Sequence, residues 1–169
     1  MRFAFLLAGV SLLSSVFGQE GRVVLHPNRG QWDSKIHYKV DLNQGELLIN
    51  ESGFTYVFHD GKHKHHGESN TEKHEHDKLH CQVVKALTTQ NSWKGKKLEL
   101  NRQEAYRNYF QGSDSQKWKA GIHDIGAVNY EAVYPGIDLL IEGKAQSLKY
   151  SYTVAPGYSP ATIQTTIEG

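Results

Sequence analysis

A partner for Cys81 is missing: it is the only cysteine in 169 residues, so no intrachain disulfide can form. A chain of this length has to be stabilised by its core or by an assembly it joins. An excess of either charge is missing too, with 19 Lys and Arg against 18 Asp and Glu. Binding to phosphates depends on a surplus of cations, so neither nucleic acid nor an anionic membrane surface is an expected partner. No apolar run approaches the roughly 20 residues needed to cross a bilayer. Helical periodicity is also lacking, because no segment sustains apolar residues at i, i+3, i+4 and i+7 over three turns. Finally, no nucleophile elbow, phosphate-cradling glycine loop or His-Glu-x-x-His occurs, so an enzyme is not expected.

The chain starts MRFAFLLAGVSLLSSVFGQEG, with Arg2 ahead of the apolar stretch Phe3 to Leu13 and with Val16 and Gly18 before a cut at Gln19. That pattern predicts a signal peptide over 1–18, export, and a single folded domain over 19–169. Loss of Arg2 leaves 18 basic and 18 acidic residues.

Within 19–169, alternation of apolar and polar residues recurs with β-branched and aromatic enrichment. Strands are expected at Arg22 to His26, Ile36 to Leu42, Glu46 to Ile49, Phe54 to Phe58, Leu79 to Leu87, Lys97 to Leu100, Ala105 to Phe110, Ala127 to Val133, Ile137 to Glu142, Leu148 to Val154 and Ile163 to Ile167. Gly53 supplies a positive φ between the strands at 46–49 and 54–58. Single helical turns are expected after Asp114 or Ser115 and at Pro160 to Thr162. Short strands with turn signals every 8 to 12 residues predict an all-β, antiparallel two-sheet sandwich-like domain.

Residues 59–80, HDGKHKHHGESNTEKHEHDKLH, carry seven of the ten histidines, five acids and four lysines. His63 and His65, and likewise His74 and His76, form His-x-His pairs whose side chains share a face in extended backbone, so two pairs could offer four nitrogens to zinc, copper or nickel. The polar GESNTEK between them makes ordering costly, and the expected behaviour is a surface loop with weak zinc or copper affinity. Trp32, Trp93 and Trp118 could stack on sugars, but aromatic residues mostly fill cores and sheet faces. Ser113, Asp114, His123, Asp124 and Asp138 are scattered over turns and strands, and Asp138 is expected to serve its turn. Cys81, between Leu79 and Val83, is expected to be a small buried side chain.

Three clusters, Asn28-Arg29-Gly30-Gln31-Trp32, Asn108-Tyr109-Phe110-Gln111-Gly112 with Trp118, and VYPGIDLLIEG running into LKYSYTVAPGYSPATIQTTIEG, resemble in order and spacing an N-terminal domain of unknown function. It heads SBBP (seven-bladed β-propeller) repeat-containing proteins of Bacteroidota-type bacteria. The resemblance spans roughly residues 24 to 169 and implies type IX secretion and an all-β domain followed by β-rich repeats. It supplies no catalytic residues. This sequence stops at Gly169, where such relatives continue, so the expectation is either a truncated gene product with a domain incomplete at its C-terminus or a reduced version of the family.

The resulting expectation is a non-enzymatic, secreted structural or interaction module of a bacterial cell-surface protein. Its partner would be an unknown protein or glycan at the cell surface. The alternatives are an extracellular metal-binding module using the His-rich loop and a carbohydrate-binding module.

Overall fold

A computed structural model describes residues 22–59, 80–89, 93 and 95–169. The expected signal peptide over 1–18 and the candidate ligands His63, His65, His74 and His76 lie outside these residues.

The fold is all-β, with two antiparallel sheets that do not close into a barrel. One sheet has six strands in the order β1 (His26–Pro27), β2 (Ile36–Leu42), β3 (Gly45–Asn50), β4 (Gly53–His59), β5 (Cys81–Thr88) and β10 (Thr165–Glu168). The other has four, β6 (Lys97–Tyr109), β7 (Lys119–Tyr134), β8 (Ile137–Gly143) and β9 (Leu148–Val154). Alternation decides which faces are buried. Tyr38 and Val40 of β2, Leu47 and Ile49 of β3, and Ile137, Leu139 and Ile141 of β8 point into one core. Each such side chain contributes about 1.5–3 kcal/mol when withdrawn from water.

Trp93 fixes the two layers together. Its indole, 2% exposed, lies between Phe54 and Tyr130 with ring centroids 5.3 and 5.0 Å away, while its backbone N–H donates to the Glu51 carbonyl at 2.6 Å. Gly53 has the expected positive φ, 139°, and a second reason to be glycine: a Cβ there would sit 2.2 Å from the Ala86 carbonyl oxygen on β5. The two helical turns form as expected, Ser115–Lys117 capped by Asp114 and Pro160–Thr162 capped by Ser159.

Four expectations are corrected. The first strand shrinks to His26–Pro27, because Leu25 instead bridges to Ile125 of β7 and ties the N-terminal segment to the opposite sheet. The two strands expected at 97–100 and 105–110 are one, β6, whose register against β7 shifts between Arg102 and Tyr106 and again between Arg107 and Tyr109. The final strand begins at Thr165, after Ile163 has packed against the core. Cys81 is exposed, not buried. Burial fades along β4 toward His59 and along β5 toward Cys81.

Candidate functional site

The segment Asn28 to Asp33 follows β1 and is held chiefly by one side chain. The Asn28 amide Nδ2 donates to the carbonyls of Asp33 at 2.8 Å, Ile36 at 2.7 Å and, more loosely, Trp32 at 3.4 Å. Its Oδ1 accepts from the backbone N–H of Gly30 at 2.9 Å and of Trp32 at 3.3 Å. Gln31 adds a bond from Nε2 to the Pro27 carbonyl at 2.8 Å, and its Oε1 accepts from the Arg29 N–H at 2.6 Å. Gly30 takes φ 103°, a conformation side chains disfavour, and the Lys119 stem lies against it. Trp32 is then pinned by the edge of Tyr109, 5.3 Å between centroids, and by Lys39 Nζ 4.9 Å above its ring.

This locked loop walls two adjoining clefts. The larger, about 560 Å³, includes Trp32, His37, Tyr38 and Lys97; the smaller, about 410 Å³, includes Arg102, Lys119 and His123. Arg29 and Glu99 line both. Arg29 Nη2 donates to Glu99 Oε2, and the Tyr38 hydroxyl donates to Glu99 Oε1 at 3.0 Å. Among the described residues Lys97, Arg102 and Lys119 form no ion pair, so the groove carries more positive than negative charge. Burial, opposed by Glu99, lowers the pKa of the Lys97 amine. Burial and the Lys97 charge bring His37 down to about 4, and its Nδ1 lies 3.1 Å from the Tyr130 hydroxyl. Burial first, then Glu99, raises the Tyr38 phenol.

A second arrangement is centred on a buried imidazole. His26, 3% exposed, has Nδ1 2.6 Å from Asp124 Oδ1 and Nε2 3.2 Å from Asp41 Oδ2. Arg107 closes the network, with Nε 3.3 Å from Asp124 Oδ2 and Nη2 3.6 Å from Asp41 Oδ2. Both ring nitrogens are thus engaged by carboxylates, and the network ties β1, β2, β6 and β7 together.

Of the side chains considered from sequence, Asp124 joins this network and His123 lines the smaller cleft with Nδ1 2.9 Å from the Gln103 carbonyl oxygen. Asp138 serves a backbone bulge, where its Oδ1 accepts from the Ala132 N–H at 2.8 Å beside an Ala132 φ of 53°. Asp114 caps its helical turn, and Ser113 is exposed. Trp93 is in the core, Trp32 walls the cleft, and Trp118 is 42% exposed with its ring against Phe110. The sequence carries no signal for His26, Asp41, Glu99 or Lys97, since each sits in an ordinary strand position and acquires partners from distant segments. No group of three or more His, Cys, Asp or Glu side chains among the described residues is arranged to hold a metal ion.

A family model described as a domain of unknown function (DUF7948) matches residues 25–169. No curated protein and no solved structure matches the chain.

Proposed function

We propose a function on one premise: this chain belongs to the DUF7948 family of domains of unknown function. It is a non-enzymatic, secreted interaction module of a bacterial cell-surface protein, akin to the N-terminal domain of SBBP repeat-containing proteins exported by the type IX route. One observation carries this reading. The Asn28 loop holds a cation-rich, aromatic-walled groove in a fixed shape, and a preorganised wall lowers the cost of ordering on binding.

The test uses the purified protein and the surface of the producing cells. Saturable binding that is lost in the double variant Arg29→Glu/Lys119→Glu, with its unfolding transition intact, supports the module. Equal binding by that variant, or catalytic turnover of the bound material, overturns it.

A metal-binding module is the second reading. His59 and Cys81 are direct ladder partners, so the described residues on either side of the His-rich stretch are held side by side, and part of the cost of bringing its flanks together is already met. Calorimetric titration with zinc and copper tests it. One-to-one binding abolished when His63, His65, His74 and His76 are changed to Ala is the supporting result, and unaltered weak uptake is the opposing one.

A further inference from the structure

We infer that the groove binds an acidic oligosaccharide, a chain of sugars bearing carboxylate or sulfate groups, along a path from Trp32 across the Arg29–Glu99 pair to His123. This rests on the reading of the groove as the module's binding face and names the ligand class.

Charge is the first argument. Arg29 is neutralised by Glu99, whereas Lys97 on one side of that pair and Arg102 and Lys119 on the other have no ion-pair partner among the described residues. Cations on both sides of a neutral centre suit a ligand whose negative charges repeat along its length, where a single anion would need only one side. The whole chain carries a formal net charge of only +1, which gives little of the long-range attraction that a nucleic acid exploits.

The remaining lining points to sugar. Flat rings occur at both ends: Trp32 in the larger cleft, and Tyr106, 60% exposed, with its centroid 5.8 Å from that of His123, which lines the smaller one. Pyranose faces stack on such rings while their hydroxyls require both donors and acceptors. The groove supplies both, with Glu99 oxygens among the cationic donors. Its walls are more polar than apolar, which fits a hydroxylated chain better than a peptide anchored by apolar side chains. Because the loop is already fixed by Asn28, binding need not order it.

The test is calorimetry on the purified protein with four probes: oligogalacturonate, sulfated dextran oligosaccharide, neutral dextran oligosaccharide and oligoglutamate. The expected result is binding to at least one of the two acidic sugars, none to neutral dextran, and weakening as salt rises. Whichever acidic sugar binds tighter identifies carboxylate or sulfate as the group recognised. The double variant Arg102→Ala/Lys119→Ala, which breaks no ion pair of the fold, should bind at least tenfold more weakly, and Tyr106→Ala several-fold more weakly. No binding to either acidic sugar, equal affinity in the double variant, or oligoglutamate binding as tightly as the sugars overturns the inference. If acidic sugars fail while producing cells still capture the wild type and not Arg29→Glu/Lys119→Glu, this inference falls and the module stands. If cell binding is also indifferent to those charges, both fall.

Discussion

Replacing Asp124 with alanine tests whether the His26 network is a structural tie. Asp124 is 6% exposed and His26 3%, so the substitution strands imidazole Nδ1 where water cannot reach it. Leaving a buried hydrogen-bonding group without its partner costs about 1–3 kcal/mol, and more where the partner lost is a charged carboxylate. Two features keep the loss from rising further. His26 keeps its contact to Asp41 at 3.2 Å, and the Arg107 side chain is 45% exposed and can be rehydrated. The expected loss is about 3 kcal/mol, which at a urea dependence of about 2 kcal/mol/M moves the unfolding midpoint down by about 1.5 M. Asp41→Ala is the control, because its side chain is 69% exposed, and such pairs contribute about 0–1 kcal/mol. With both acids gone, neither ring nitrogen has a carboxylate partner, and the double variant should lose about 1 kcal/mol more than the sum of the two. Tryptophan fluorescence in urea follows the transition, since Trp93 is buried between the sheets. A loss below about 1 kcal/mol for Asp124→Ala, or one equal to that of Asp41→Ala, would refute the argument from burial.

Asn28→Ala should cost about 1–3 kcal/mol and speed amide hydrogen exchange at Gly30 and Trp32, whose N–H groups donate to its side chain; unchanged exchange would show that the loop is held by other means. His37 has a folded pKa of about 4 against an ordinary 6.5, so the unfolded chain takes up a proton that the folded one refuses between those values, and stability falls as pH drops from about 6.5 toward 4. His37→Gln should lose less stability than the wild type between pH 7 and 4.5 in paired urea titrations, and parallel losses would contradict the assignment. Gly143→Ala places a Cβ 1.8 Å from the Val23 carbonyl oxygen, backbone that cannot swing aside, so it should lower the thermal midpoint by several degrees; an unshifted midpoint would mean that the segment at 22–25 is free to move.

Period-two alternation was readable wherever one side of a strand meets the core and the other meets water. Ile36 to Leu42 and Leu148 to Val154 therefore lie where the pattern puts them. The long strand β6 was not readable as one, because most of its residues are exposed and its sequence between Leu100 and Ala105 is polar throughout. Cys81 misled for a related reason: apolar neighbours at strand spacing imply a buried face only if another layer lies above it. Asn28 to Trp32 stood out as a cluster, with Trp32 as the expected lock. The structure gives that work to Asn28, whose amide serves five backbone groups.

By itself, then, the sequence determined an all-β chain, the faces of its best strands and its capped turns, because these depend on residues a few positions apart. Tertiary structure decided that β10 pairs with β5, that His26 meets Asp124, and that Arg29 and Glu99 divide a groove. Those contacts join segments far apart in the chain, and their energies come from burial and charge that exist only once the two sheets have closed on one another.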